Sequence, residues 1–190
     1  MKYTNLEYRV ATVDDAPAIA ALIQDGFRAP DNRPGWTGDL DDLAAGFTTT
    51  AEEQHRNIKK PDMMVILMEN QAGLLVGTVA ASKRVDGKGD SGYVWLSMLA
   101  VDTSLQQSGF GRRMLEYAEQ YCQQTWGLNK LKLNALSTRH GLISWYERCG
   151  FRKDGTTTPF PVDDEQHREM NLPKNLCFIN LVKNLQATPK

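Results

Sequence analysis

The chain has 190 residues, of which 41% are hydrophobic and 24% charged, and its formal net charge is -1 at pH 7. That length is enough for one compact domain with a hydrophobic core, and the composition is typical of a soluble globular protein. The charge balance gives no electrostatic reason to bind nucleic acid or a membrane surface, and no apolar run approaches the length of a membrane span. We therefore predict a single domain over residues 1–190, with no nucleic-acid or membrane partner.

The N-terminus and the cysteines both favour a cytoplasmic location. Residues 1–5 lack the apolar core of a signal peptide. The three cysteines, Cys122, Cys149 and Cys177, show no paired spacing, which is typical of small buried side chains in a reducing compartment. The sequence therefore predicts neither disulfides nor a bound metal.

The first predicted elements are a strand and a helix. Residues 7–10 alternate as a strand does, and Thr12 followed by Asp15 is a carboxylate variant of the capping box that begins a helix. The apolar residues that follow recur at helical spacing and predict a helix that packs on a sheet. They are Ala16, Ile19, Ala20, Ile23 and Phe27.

Residues 28–60 predict a loop followed by two short helices. The loop is indicated by Pro30, Pro34, Gly35 and Gly38. Residues 40–47 form the first helix, and Thr50 with Glu53 is the capping box of the second. Acidic residues of this segment could attract a cationic amine, although acidic loop residues are usually only solvated. These are Asp31, Asp39, Asp41 and Asp42.

Three consecutive strands form the predicted centre of the sheet. Residues 63–68 predict a buried strand, residues 70–73 a hairpin turn, and residues 74–82 its partner. After a turn at residues 86–90, residues 93–101 form the third strand, which is rich in β-branched and aromatic side chains. This third strand leads directly into a glycine-bearing loop.

Residues 106–111 join this strand to a helix and predict an anion-binding loop. The first N–H groups of a helix have no internal partner and lie at the positive end of its dipole, so a phosphate binds there without a dedicated side chain. Gly109 and Gly111 would let the phosphate approach the backbone, because no Cβ intervenes. The dinucleotide fingerprint is excluded by Met114 at its third glycine position, and the nucleotide-triphosphate loop by the absence of Gly-Lys-Ser/Thr. The apolar face of the helix is Phe110, Met114, Leu115, Ala118, Tyr121 and Cys122.

A second strand and helix follow this one. Residues 131–135 predict a short strand, and the polar residues Ser137 and Thr138 predict the start of a helix. Gly150 lies where a left-handed cap would close that helix, and Phe151 would return the chain to the core.

The last two predicted strands are residues 157–162 and 175–182. They are joined by a polar loop at residues 161–174, whose length suggests a functional or variable segment. Taken together, the order of strands and helices predicts a mixed sheet with helices on both faces, which is an α/β (α+β) architecture.

Two motifs resemble those of the GNAT acetyltransferase superfamily, namely its Q/R-x-x-G-x-G/A loop and its Tyr-x-x-x-Gly-Phe helix ending. The matching residues are Gln106, Gly109 and Gly111 in the first motif, and Tyr146, Gly150 and Phe151 in the second. The order of elements is similar from residue 8 to about residue 185. The resemblance implies the GNAT fold, with a mostly antiparallel sheet of about seven strands. It also implies that acetyl-CoA donates an acetyl group to a primary amine of a small molecule or peptide, and that residues 28–60 lie on the acceptor side.

The resemblance implies that most contacts to coenzyme A come from the backbone. The residues around its diphosphate would be Gln106, Gln107, Ser108, Gly109, Phe110, Gly111 and Arg112. Leu99, Ala100 and Val101 would pair with the pantetheine arm, and an N–H near Leu99 would point at the thioester oxygen. Arg112 and Arg113 could add positive charge, although both are equally typical of an exposed helix surface.

Tyr146 matches the acid of this superfamily, which gives a proton to the departing thiolate. A phenol with a reference pKa of about 10 can do so at neutral pH. The base that takes the amine's proton stays open, because Ser97 stands where the superfamily often has a carboxylate. The alternatives are a water chain, a carboxylate of the late loop, or a histidine: His55, His140 or His167. Arg139 stands where an Asn frequently contacts the cofactor, and Leu142 replaces a usual small residue.

Two other functions fit the same sequence. One is acyl transfer with a longer acyl-CoA or to a hydroxyl group, which the size of the pocket near Trp36 and Trp95 would decide. The other is an acyl-CoA-binding or regulatory module without turnover, since Ser97 provides no carboxylate. A homodimer is compatible with either.

Overall fold

The computed structural model of the chain describes residues 6–29, 33, 35–36, 40–85, 92–165, 167, 169–170 and 172–186. The strands are β1 (Leu6–Val10), β2 (Met63–Asn70), β3 (Leu75–Val85), β4 (Gly92–Val101), β5 (Lys130–Leu136), β6 (Arg152–Pro159) and β7 (Cys177–Asn184). The helices are α1 (Ala16–Arg28), α2 (Asp41–Gly46), α3 (Ala51–Ile58), α4 (Phe110–Trp126) and α5 (His140–Arg148). Short 3-10 turns at Val13–Asp15 and Thr103–Leu105 precede α1 and the loop before α4.

The seven strands form one mixed sheet in the order β1-β2-β3-β4-β5-β7-β6. Neighbouring strands are antiparallel except for β4 and β5, which are parallel. Among the described residues, these two strands pair only at Val94 with Leu131 and at Trp95 with Lys132. Beyond Trp95 they separate and leave a gap. The predicted mixed, mostly antiparallel sheet of about seven strands is confirmed.

Helices cover both faces of the sheet because alternate residues of its central strands point to opposite sides. Ile66 and Met68 of β2 belong to a core that α4 and α5 complete. Val65 and Leu67 belong to a second core, in which they pack with the fully buried Ile19 of α1. The prediction of helices on both faces is therefore confirmed.

The predicted capping residues hold the starts of two helical segments. The Thr12 N–H donates to Asp15 Oδ2 at 2.7 Å, and Asp15 also pairs with Arg9 at 2.7 Å. At the start of α3 the Glu53 N–H donates to Thr50 Oγ1 at 3.2 Å, and the Thr50 N–H donates to Glu53 Oε2 at 3.1 Å. Both capping boxes read from the sequence are confirmed, although the first begins a 3-10 turn that then continues into α1.

The sequence-based bounds of two elements were wrong. β6 covers Arg152–Pro159 and not residues 157–162, and its side chains are mostly exposed because it is an edge strand. An exposed edge strand has no apolar alternation to reveal it, and Gly155, with φ of +85°, lies where its register with β7 shifts. Helix α5 begins at His140, later than the predicted start at residues 137–138. The predicted turn at residues 86–90 lies outside the described residues.

The longest described helix, α4, has 17 residues and carries charged side chains along its exposed face. These include Arg112, Arg113 and Glu116. No described helix combines the length and the apolar character that crossing a membrane would require.

Candidate active site

A bulge in β4 reshapes this strand where it leaves β5. At this point β3 contributes one residue, Val79, where β4 contributes two, Met98 and Leu99. Met98 has φ of +52°, in the left-handed region that residues other than glycine seldom adopt. Because a bulge bends its strand and redirects the residues on it, the backbone around Leu99 is presented to the gap between β4 and β5.

The loop that follows β4, which we predicted to bind an anion, leads into the start of α4 through two residues of positive φ. Gln107 and Gly109 have φ of +64° and +82°, and α4 begins directly afterwards. The Arg113 N–H makes a first-turn bond to the Gly109 carbonyl at 3.1 Å. The backbone N–H groups that precede Arg113 therefore have no partner within the helix and point out of its N-terminal end. This end carries the positive pole of the helix dipole.

A cavity of about 830 Å³ lies between this loop, β4, β5 and α5. It brings together all the predicted site residues except Ser108, which is exposed and does not line it. Those that line it are Ser97, Leu99, Ala100, Val101, Gln106, Gln107, Gly109, Phe110, Gly111, Arg112, Arg139 and Tyr146. Two motifs that are separate in the sequence thus meet at one concave surface.

Tyr146 lies in the wall of this cavity and is only 8% exposed. Its ring packs against Trp145 and Phe151, with centroids 5.0 and 5.9 Å away. Gly150, with φ of +92°, closes α5 as predicted, and the Phe151 N–H returns to the Tyr146 carbonyl at 3.1 Å. Burial raises the pKa of Tyr146 to about 12, although the Arg139 charge acts in the opposite direction. The phenol is therefore protonated at neutral pH and can donate a proton.

Three residues that follow α1, Arg33, Gly35 and Trp36, form a strap across one side of the cavity. The Gly141 N–H at the start of α5 donates to the Gly35 carbonyl at 2.7 Å, and Arg139 Nε donates to the Trp36 carbonyl at 2.7 Å. Gly35 has φ of +65°, and a Cβ on it would be 3.1 Å from the Gly141 nitrogen. The position therefore requires a glycine.

The strap also reaches the anion-binding loop. Arg33 Nη2 donates to Gln106 Oε1 at 3.0 Å, while its guanidinium lies 3.4 Å from the centre of the Trp36 ring. The Trp36 ring in turn meets Trp145 edge to face at 6.0 Å. Arg33 was missed in the sequence analysis because nothing in its local sequence distinguishes it from any other loop arginine.

The two arginines at the start of α4 make contacts with the protein itself. Arg112 Nη2 donates to the Arg148 carbonyl at 2.9 Å, near the C-terminal end of α5. The guanidinium of Arg113 lies 5.8 Å from the Phe110 ring and beside the hydroxyl of Tyr8. Arg112 also lines the cavity, whereas Arg113 does not.

A second cavity, of about 460 Å³, adjoins the first at Ser97 and Met98, which line both. It is formed by the end of α3, the start of β2, the end of β3 and the middle of β4. Its other lining residues are Asn57, Lys60, Pro61, Asp62, Met63, Ser82, Lys83, Arg84 and Trp95. Trp36 and Trp95, which we expected to bound one pocket, thus lie in different cavities.

The predicted candidates for a base lie elsewhere among the described residues. None of His55, His140 and His167 lines either cavity, and His167 Nδ1 lies 2.8 Å from the Pro161 carbonyl. The acidic residues that could attract a cationic amine, namely Asp31, Asp39 and the side chains of Asp41 and Asp42, lie outside the described part of the chain. Within the described ranges, no three His, Cys, Asp or Glu side chains are grouped as a metal site would need.

Many solved structures have the same fold, and the following three have low sequence identity to this chain. A ribosomal-protein-alanine N-acetyltransferase from Brucella melitensis is 18% identical, with 94% of this chain and 99% of that chain covered and a TM-score of 0.64. A GNAT-family acetyltransferase from Streptococcus pneumoniae is 18% identical over 96% and 100% of the two chains, with a TM-score of 0.62. A spermidine N-acetyltransferase chimera derived in part from Vibrio cholerae is 15% identical over 95% and 96%, with a TM-score of 0.61. These likenesses show the fold.

The comparison with curated proteins finds no match. The comparison with family models matches residues 27–151, which is more than half of the chain, to the acetyltransferase (GNAT) family. The matched range contains the bulged strand, the anion-binding loop and Tyr146. This protein therefore belongs to the GNAT family of acetyltransferases.

Proposed function

We propose that this protein is an N-acetyltransferase that moves an acetyl group from acetyl-CoA to a primary amine. The observation that carries the proposal is the single cavity on which the loop of residues 106–111, the unpaired end of β4 and Tyr146 converge. An anion site, a free strand edge and a buried acid in one cavity match the three parts of a long thioester substrate. These parts are its diphosphate, its amide-bearing arm and its sulfur.

The glycines of the loop fit a diphosphate held by the backbone. A Cβ on Gly109 would meet nothing within 4 Å, so the space beside this residue is open. Gly111 is confined on one side, since a Cβ there would be 3.3 Å from the Trp145 ring. The N–H groups at the start of α4 would hold the phosphate oxygens, and residues 99–101 would pair with the pantetheine amides.

The residues on the cavity wall can serve each part of acyl transfer. The amine nitrogen forms a bond to the thioester carbon, and the N–H near Leu99 stabilises the negative charge that grows on the carbonyl oxygen. The C–S bond then breaks, and Tyr146 gives its proton to the sulfur. Because burial raises the pKa of Tyr146 to about 12, the proton is present at the start of every turnover. Holding the amine and the thioester side by side lowers the barrier further.

Loss of the amine's proton needs no charged residue of the described cavity walls. Ser97 has a hydroxyl that stays protonated at neutral pH, so it can orient a water molecule but cannot act as a strong base. We propose that the amine attacks in its neutral form, after its ammonium form has lost a proton to water. The nitrogen loses its second proton to water as the C–S bond breaks, and water returns a proton to the Tyr146 phenolate after coenzyme A has left as the thiol. In that case the pH dependence of kcat/KM should follow the pKa of the acceptor amine.

The experiment is an assay of free thiol release from acetyl-CoA with a panel of amines, together with calorimetric titration of the protein with coenzyme A. We expect binding of coenzyme A and thiol release that depends on the added amine, with the acetylated amine identified by mass spectrometry. Binding without release for any amine or alcohol would favour the module without turnover. Repeating the assay with longer acyl-CoA donors measures the acyl chain length that the cavity accepts.

A further inference from the structure

The second cavity carries more positive than negative charge. Its described lining includes the cations Lys60 and Arg84 and one acid, Asp62. Lys83 also lines it, but Lys83 pairs with Val94, whose side chain faces the opposite side of the sheet. Lys60 Nζ donates to Asn57 Oδ1 at 2.7 Å, which holds this ammonium group at the end of α3. The cavity therefore differs from an acceptor site for a polyamine, whose positive charges these side chains would repel.

Two of the nearby cations lie on aromatic rings of β4. The Arg84 guanidinium is 5.6 Å from the centre of the Trp95 ring, and Lys132 Nζ is 4.9 Å from the centre of the Tyr93 ring. Each ring holds its cation by a cation–π contact, so the charged group stays on this face of the sheet. The side chain therefore loses little further conformational entropy when it binds a ligand. Lys132 also faces Asp154 at 4.0 Å, which offsets part of its charge. Lys132 does not line the second cavity, so Arg84 is the cation within it that lies on an aromatic ring.

The strand register places these groups on the same face as Ser97. Arg84 lies opposite Tyr93 and Ser82 lies opposite Trp95, so the paired side chains point to one side of the sheet. Alternation along β4 puts Ser97 on this side as well. Two residues of a strand span about 7 Å, which is therefore the distance along β4 from Trp95 to Ser97.

We propose that the acceptor enters through the second cavity and carries an anionic group, a carboxylate or phosphonate, in addition to its reacting amine. The inference rests on the proposed function, in which the thioester reaches the bulge next to Ser97 and Met98 from the first cavity. The anionic group binds the planar fork of Arg84, whose geometry matches a carboxylate, and the amine is directed along β4 toward Ser97, where the two cavities meet. The acceptor is a small amino acid and not a polyamine.

The test is a matched series of amines of equal length that differ in the charge of the remote group. It compares 3-aminopropanoate, 3-aminopropanamide and 1,3-diaminopropane, the corresponding four-carbon compounds, and L-glutamate with L-glutamine and spermidine. We expect kcat/KM to be at least about 10-fold higher for the acids than for the amides, and lowest for the diamines, as expected for one charge-assisted contact. The difference should shrink in high salt because this face is exposed.

Variants of Arg84 test whether the preference for acids over amides and diamines arises in the second cavity. Arg84→Glu should raise the acceptor KM of the acids at least about 10-fold and reduce the discrimination against diamines, while Arg84→Lys keeps the charge and has a smaller effect. The KM for acetyl-CoA should not change in either variant. Lys153→Glu makes the same charge change at another exposed site, more than half exposed and outside both cavities, and should keep the order of the series.

The outcomes separate the two proposals. If diamines or amides are acetylated as well as the acids, or if Arg84→Glu leaves the order unchanged, the inference about the acceptor is overturned and the acetyltransferase proposal stands. The same conclusion follows if only peptides are acetylated. If coenzyme A does not bind, or if no compound of any charge gives thiol release, the acetyltransferase proposal itself fails.

Discussion

The two cavities that meet at Ser97 and Met98 are built in different ways. The first depends on backbone geometry, with a bulge in β4, two residues of positive φ in the following loop and the start of α4. The second depends on side chains, since α3, β3 and β4 each contribute polar or aromatic groups to it. This contrast suggests that the first cavity fixes the common part of the reaction and the second selects the acceptor.

This contrast predicts that variants of the two cavities change different kinetic constants. Changes to the first cavity should act on acetyl-CoA binding or on the chemical step. Changes to the second cavity should act on the KM of the acceptor. Variants that violated this division would show that the two cavities work as one site.

Replacing Tyr146 with Phe should have the largest effect. General acid catalysis is typically worth 10²–10⁴-fold, so we expect kcat to fall by about 100-fold or more. The affinity for coenzyme A should change little because the ring still packs against Trp145 and Phe151. Thiol release measures kcat, and calorimetry measures the affinity.

Tyr121→Phe is the matched control for this variant, because Tyr121 is a half-buried tyrosine of α4 that lines neither cavity. It should behave like the wild-type protein. A Tyr146→Phe protein with unchanged kcat would mean that this tyrosine serves only to pack α5.

Gly111→Glu should have the next largest effect, this time on affinity. A negative charge at the start of α4 would repel the diphosphate, so we expect the Kd for coenzyme A to rise by about 100-fold, or about 2.7 kcal/mol. Gly111→Ala separates size from charge. Its Cβ would be 3.3 Å from the Trp145 ring, which must move by only a few tenths of an ångström.

The alanine variant should bind coenzyme A within about threefold of the wild-type protein, a difference of less than 1 kcal/mol. Thermal melting shows whether each variant is folded. Equal affinity of the wild-type and Gly111→Glu proteins, both folded, would place the diphosphate elsewhere.

Two parts of the first cavity, its loop and the end of α5, could be found in the sequence because each is a local motif. The two glycines of the loop lie within six residues, and the Tyr-x-x-x-Gly-Phe ending spans another six. The buried strands and capping boxes were predicted for the same reason, since periodicity and capping are short-range patterns. Edge strand β6 was misplaced because its exposed residues carry no such pattern.

The strap and the second cavity could not be predicted in this way. Arg33 meets Gln106 across 73 residues of sequence, and Arg139 meets Trp36 across 103. The neighbours of Arg84 in the cavity come from α3, β2 and β4 as well as from its own strand, β3, and only the fold brings them together. The acidic residues that suggested a cationic acceptor are local, whereas the cations that indicate an anionic one are assembled by the fold.

Trp36→Ala should have a moderate effect and tests whether the strap belongs to the first cavity. The Arg33 guanidinium lies 3.4 Å from the centre of the Trp36 ring and donates to Gln106 of the loop. Loss of the ring removes the contact that holds this guanidinium beside the loop. A cation–π contact is worth about 0.5–2 kcal/mol, so we expect the Kd for coenzyme A to rise about 2- to 30-fold. Trp36→Phe keeps an aromatic surface and should show a smaller change. An effect on the acceptor KM alone would assign the strap to the second cavity.

The smallest expected effect is on stability at high pH. The pKa of Tyr146 is near 10 in the unfolded chain and about 12 in the folded protein, so its contribution to stability is complete below pH 10 and is lost as the pH rises toward 12. At pH 11 the loss is on the order of 1 kcal/mol, because one unit of pKa difference corresponds to about 1.4 kcal/mol. Urea unfolding at pH 8 and pH 11 measures it.

Comparison with the Tyr146→Phe protein isolates the contribution of Tyr146 to this loss of stability, because the variant lacks the hydroxyl that titrates. Cys122 acts in the same direction in both proteins, since burial raises its pKa from 9.0 to about 12, and its contribution cancels in the comparison. The wild-type protein should therefore lose more stability than the variant between pH 8 and pH 11, by on the order of 1 kcal/mol. Equal losses would show that the phenol is in contact with water. Tyr146 would then titrate near 10, and an alkaline limb near that pH should appear in kcat as the acid loses its proton.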